Sequence, residues 1–187
     1  MLGTSGNLSI VIEEHPLQFL ITASGNDKGE LTEDDFLLVD ELGIIARNSN
    51  DVKQKPSAET LLHSTIYKNT DAKTVFHVHT TNSTLLSMQS KRAEVQNKIE
   101  FSGLEMLKGL GFKTHEVTVN IPVIENSQDM KYLSEIAPSY INEEVPGLIL
   151  KGHGIYAWGK TPQEAKRHVE IFEFLFEYKV KELSLNG

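Results

Sequence analysis

His77 and His79 form a His-x-His pair at the end of the apolar run Thr74-Val75-Phe76-His77-Val78, which reads as a buried strand. Strand side chains alternate faces, so both imidazoles point one way and Val78 points into the opposite layer. Two neutral imidazoles so close together suit zinc or a neighbouring transition metal. Two ligands do not complete a site, and Glu59 and His153 are the candidates for the rest. A bare His-x-His is more often a pair of ordinary core or surface groups, so the argument rests on the company it keeps.

His153 lies in the tight turn Lys151-Gly152-His153-Gly154, whose glycines permit close backbone approach and fix the direction of the ring. Glu59 lies in Lys55-Pro56-Ser57-Ala58-Glu59, which opens a helix running to about Lys68. Ser57 is the expected N-cap and Glu59 falls in the first turn, where an acid can also simply complement the helix dipole. Anion chemistry has three openings: the turn Thr4-Ser5-Gly6-Asn7, the turn Thr22-Ala23-Ser24-Gly25, and the helix start at Ser57. Glu105 sits on a helix expected from Ser102 to Leu110, beside a stripe of Leu104, Leu107 and Leu110. By pattern it is a solvated glutamate.

The elements that must position these residues are strands first, then helices and strands interspersed. Strands are expected at Leu8 to Ile12, Leu17 to Thr22, Phe36 to Asp40, Ile44 to Ala46, Thr74 to Val78, Glu116 to Ile124, Leu148 to Leu150 and Ile155 to Trp158. Thr32-Glu33-Asp34-Asp35 caps one helical turn, Arg47 to Gln54 is a polar loop, and Thr81 to Met88 and Gln128 to Asn142 are helical, the latter interrupted or ended by Pro138. Thr161-Pro162-Gln163-Glu164 is a capping box opening a helix whose apolar face is Ala165, Val169, Phe172 and Phe176. His168 on that helix is read as structural or exposed, and His15, His63 and His115 receive no role. This pattern predicts a three-layer α/β/α domain, one domain over residues 1–187, around a mainly antiparallel or mixed sheet.

Composition narrows the function classes. The chain has 187 residues, 39% hydrophobic and 24% charged, as soluble globular proteins do. A net charge of −8 argues against nucleic acid and anionic membranes as partners. With no cysteine, any metal must be held by nitrogen and oxygen, and a cytoplasmic location is expected. No run of about 18 apolar residues and no signal-peptide pattern is visible.

Several stretches together resemble the class II sugar-phosphate aldolase superfamily, across essentially the whole chain. They are Thr4-Ser5-Gly6-Asn7-Leu8-Ser9, Thr22-Ala23-Ser24-Gly25, Lys55-Pro56-Ser57-Ala58-Glu59, His77-Val78-His79 and His153-Gly154. Asp35 to Asp40, Ile121 to Asn126 and Gly154 to Thr161 are similar to its methionine-salvage dehydratase branch. The resemblance implies one zinc per subunit on His77, His79 and His153, and a substrate phosphate held by Thr4, Asn7, Ser24, Gly25 and Ser57. It leaves two carboxylates competing for the acid/base role: the proton-transferring glutamate of the aldolases matches Glu59 and that of the dehydratases matches Glu105, with Glu105 favoured and Glu59 then beside the metal or substrate. It also implies a homotetramer with sites at subunit interfaces. The implied reaction removes water from 5-methylthioribulose 1-phosphate to give a 2,3-diketone. The alternatives are a class II aldolase or 4-epimerase, or a metal-free adducin-like interaction domain. The sequence departs from the pattern at Ala58, at Gly103-Leu104 and at Lys151-Gly152. It also has only Met1-Leu2-Gly3 where a helical segment is usual before the opening turn.

Overall fold

A computed structural model describes residues 6–46, 54–89 and 97–185. Among the described residues, eight strands form one sheet: β1 (Asn7–Glu14), β2 (Leu17–Thr22), β3 (Phe36–Asp40), β4 (Thr74–Val78), β5 (Lys98–Ser102), β6 (Thr118–Ile124), β7 (Gly147–Leu150) and β8 (Gly154–Gly159). Their order is β3-β2-β1-β4-β8-β7-β6-β5. β6 and β7 run parallel, and the other described pairs are antiparallel. Helices α1 (Thr60–Asn69), α2 (Thr81–Gln89), α3 (Met130–Ile136) and α4 (Pro162–Leu185) cover the two faces. The expected three-layer architecture with a mainly antiparallel sheet is therefore present.

Each face has its own core. Leu62, Ile66 and Tyr67 of α1 and Leu133 of α3 pack with Phe19, Ile21, Val75 and Trp158 on one side. Ile171, Phe172, Leu175 and Phe176 of α4 pack with Val78, Phe101, Ile121 and Ile155 on the other. The alternation along β4 thus holds: Val75 faces α1 and Val78 faces α4, which puts His77 on the α1 side. At the start of α4, Thr161 Oγ1 accepts from the Glu164 N–H (3.1 Å), as a capping residue should. Glu164 reaches back one residue further than expected, to the Lys160 N–H (2.7 Å). His168 is structural: it is buried and its Nδ1 donates to Trp158 O (2.7 Å).

Several expected bounds shift. The segment from Ser102 to Leu110 is not one α-helix: β5 ends at Ser102, Gly103 turns with φ 72°, and a 3-10 helix runs Glu105–Leu110. Leucines at 104, 107 and 110 repeat every three residues, the period of the tighter helix. A Cβ on Gly109 would lie 2.4 Å from Ile171 Cδ1, so this segment approaches α4 at backbone distance. Gln128 to Asn142 divides into α3 and a 3-10 turn at Ala137–Ser139 containing Pro138. Ile44 to Ala46 supplies a single bridge, Val39 with Ile45, not a strand. Most of the expected loop from Arg47 to Gln54 lies outside the described residues.

Candidate metal and phosphate site

Strand register builds the centre of the site. Asn7 of β1 lies opposite His77 of β4, and His77 lies opposite Tyr156 of β8. These three residues form one row across neighbouring strands on the α1 face. His79 follows two residues beyond His77, and the turn between β7 and β8 brings His153. The ligand atoms of His77, His79 and His153 all lie within 4.8 Å of one another. Gly154 is required there: a Cβ would stand 2.5 Å from Val78 O and 3.0 Å from both the His77 and His79 rings.

The expected helix start at Ser57 moves by two residues. A turn closes from Thr60 N–H to Ser57 O (3.2 Å), so α1 begins at Thr60 with Glu59 at the N-cap position. Ser57 Oγ accepts the Glu59 N–H (3.3 Å). The Glu59 side chain makes no capping bond. It is buried and turned inward, 3.4 Å from His77 Nε2 through Oε2 and 3.4 Å from His153 Nε2 through Oε1.

The donor set fits a divalent cation. His77 Nδ1–H donates to Ile155 O (3.1 Å), so Nε2 presents its lone pair to the site. His79 Nε2 lies 2.9 Å from that atom, and Glu59 Oε2 turns to it as well. Several lone pairs thus converge, and a cation at that point satisfies them together. His153 Nδ1 is buried and has no hydrogen-bond partner among the described residues. Burial, then His153 and His79, push His77 well below the ordinary histidine range. Burial and then His153 lower His79 against the opposing pull of Glu59. Neutral imidazole is the ligating form. The Tyr156 ring stacks on His77 at 4.1 Å. Burial and then the Glu59 carboxylate push its hydroxyl well above the usual tyrosine range.

Two of the expected phosphate turns are neighbours. Ala23 bridges Pro56, Ser24 N–H donates to Lys55 O (2.8 Å) and Ser57 N–H donates to Thr22 O (3.2 Å). Those two amides are spent within the protein, which leaves the hydroxyls of Ser24 and Ser57 and the turn at Gly25, where φ is 88°. Lys28, which the sequence reading missed, is buried behind this turn and donates to Ala23 O and Asn26 O (3.3 and 2.7 Å). Thr4 lies outside the described residues. Asn7 spends its side-chain amide on Glu59 and His63. Glu105 is on the surface, paired with Lys108 (2.7 Å) and His115 (2.9 Å) rather than with the imidazoles. Lys108, then His115, hold its carboxyl below the ordinary range.

The chain matches known proteins along nearly its whole length. Residues 1–180 match the family model of the class II aldolase and adducin N-terminal domain. Methylthioribulose-1-phosphate dehydratase of Persephonella marina is 46% identical over 176 residues, covering 94% of this chain and 79% of that protein. The proteins of that name from Geobacillus kaustophilus and Bacillus subtilis are each 45% identical, covering 98% and 96% of this chain and 84% and 83% of theirs. Among solved structures, an L-fuculose 1-phosphate aldolase superposes with a TM-score of 0.77 at 23% identity, over 99% of this chain and 79% of that one. A sugar-phosphate aldolase from Thermotoga maritima gives 0.63 at 22% identity, over 99% of this chain and 88% of that one. These two likenesses establish the fold.

Proposed function

The chain belongs to the class II aldolase and adducin family, and from that premise we propose that it is a zinc-dependent hydro-lyase acting on 5-methylthioribulose 1-phosphate in methionine salvage. The product is 2,3-diketo-5-methylthiopentyl 1-phosphate. The observation that carries this is the closure of His77, His79, His153 and Glu59 on one point, in a chain about 45% identical to proteins named for that reaction.

His77, His79 and His153 would hold the ion, which when bound would supply Lewis-acid chemistry at the C2 carbonyl and so make the C3 proton more acidic. The rest falls to the protein. Ser24, Gly25 and Ser57, with Thr4, grip the phosphate and so fix C3 and C4 relative to the imidazoles. Glu59 holds the substrate end nearest His77 and His153. Glu105 is the acid/base: kept as a carboxylate by Lys108 and His115, it takes the C3 proton and then returns it to the C4 hydroxyl, which leaves as water. The enol that remains becomes the diketone. The reading includes a homotetramer, in which the exposed Glu105 serves a site at a subunit interface. It also includes a cytoplasmic location, suited to a phosphorylated substrate.

The test combines zinc analysis with turnover of 5-methylthioribulose 1-phosphate. About one zinc per chain and diketone formation, lost in Glu105→Gln, are expected. Glycolaldehyde phosphate or dihydroxyacetone phosphate would move the protein to the aldolases. Folded protein that retains no metal would leave an adducin-like interaction domain.

A further inference from the structure

The layer between α1 and β1 contains a line of polar side chains amid apolar ones. Glu59, His63 and Tyr67 stand four residues apart along the start and body of α1, and Asn7 and Ser9 stand two apart on β1. The two repeats nearly match, since four helical residues advance about 6 Å and two strand residues about 6.8 Å. The side chains therefore interlock in alternation. Tyr67 OH lies 2.5 Å from Ser9 Oγ, and Ser9 Oγ lies 2.6 Å from His63 Nδ1. His63 Nε2 meets Asn7 Oδ1, and Asn7 Nδ2 lies 2.5 Å from Glu59 Oε2.

The carboxylate end sets the direction of the whole line. Glu59 accepts, so the NH2 of Asn7 must face it and Oδ1 must face His63. His63 then donates through Nε2 and accepts at Nδ1 from the Ser9 hydroxyl. Ser9 in turn accepts from Tyr67. Asn7, Ser9, His63 and Tyr67 are all at least nine-tenths buried. Burying so many polar groups is costly unless each finds a partner. Here every one does, and the line ends on one oxygen of the carboxylate that faces the imidazoles. A leucine at position 63 would fill the layer without these demands.

We infer that His63 is a positioning residue: acting through Asn7, it tethers Glu59 Oε2 beside His77 and leaves Oε1, near His153, for the substrate. This rests on the reading of Glu59 as a group that touches the substrate. It gives the Asn7 side chain a role toward Glu59 instead of toward the phosphate. The line carries no proton in the reaction; it fixes a rotamer and a tautomer.

The experiment uses the zinc-loaded full chain with 15N-labelled histidine, as wild type, His63→Gln and His63→Leu. Long-range proton–nitrogen NMR should show His63 as the Nε2–H tautomer. His63→Leu, at unchanged zinc content, should lower kcat about 10- to 100-fold with KM nearly unchanged, the usual size of an outer-shell loss. His63→Gln, whose amide N–H still reaches Asn7 Oδ1, should recover most of that. The inference is overturned by the Nδ1–H tautomer, by wild-type kcat in His63→Leu, or by equal damage in His63→Gln. Should His63→Leu fail to fold, the tautomer and the glutamine variant still decide. If the wild type does not dehydrate the substrate, the proposed reaction falls, while the tautomer still confirms or refutes the line.

Discussion

The two faces of this sheet are built on opposite terms. On the α4 face, Ile171, Phe172, Leu175 and Phe176 meet Val78, Phe101, Ile121 and Ile155 in an apolar contact, and among the described residues the buried His168 of the same helix bonds only to the Trp158 backbone carbonyl. On the α1 face, Leu62 and Ile66 also pack against strands, but Glu59, His63 and Tyr67 share the same helix and turn toward Asn7, Ser9 and His77. One face is tolerant of hydrophobic exchange and holds the sheet. The other spends stability on direction, because each polar group must find its partner. The difference teaches where the chemistry sits without reference to any ligand: it is on the face where buried polar side chains join into one line that ends at the imidazoles.

The contrast can be broken from the scaffold side first. Phe172→Ala empties a fully buried aromatic site and should cost about 4 kcal/mol of unfolding free energy in urea titration, while turnover per folded molecule stays unchanged. From the other side, His79→Ala should lower kcat/KM at least about 100-fold, equivalent to about 3 kcal/mol, and release the metal. Because His79 is exposed, urea stability of the metal-free forms should change little. A Phe172→Ala protein with impaired catalysis per folded molecule would show that the faces are not separable.

Acid gives a smaller and sharper test. Burial pushes His63 down to about 3. The unfolded chain binds a proton at this residue below about pH 6.5, whereas the native chain does not until about pH 3, so stability falls as pH drops through that window. From pH 6.5 to 5 the loss assigned to His63 is about 2 kcal/mol. His63→Gln in metal-free protein should remove that part of the slope, measured by urea unfolding at the two pH values. Equal slopes would mean that the residue is not buried as neutral imidazole. The smallest effect belongs to the scaffold again: Thr161→Ala deletes the α4 cap and should cost about 1 kcal/mol, seen as a lower melting temperature at intact activity.

Much of the site was legible in the sequence because it depends on short-range rules. Period-two alternation placed His77 and His79 together, and glycine at 154 announced a close approach. Glu59 was named, but its rotation inward was not legible, since a three-residue turn from Ser57 delayed the helix. β5 was missed although Lys98-Ile99-Glu100-Phe101-Ser102 alternates cleanly, because the leucine triplet that follows drew its end into a helix. His63 had no signal of its own. Its partners at positions 7 and 9 are remote in sequence, and only the docking of α1 on β1 brings the two repeats into step.

The row Asn7, His77, Tyr156 also sets a timetable. β1 leaves the ribosome before the other strands of the sheet yet occupies an interior place between β2 and β4, and the last imidazole of the cluster is residue 153. A nascent chain therefore offers an incomplete set of imidazoles until the turn after β7 has been made, and one released before it carries two of the three. Under the proposed metal site, chains terminated before residue 153 would lack one ligand and so drop out of the metal-bearing pool without any separate device to sort them.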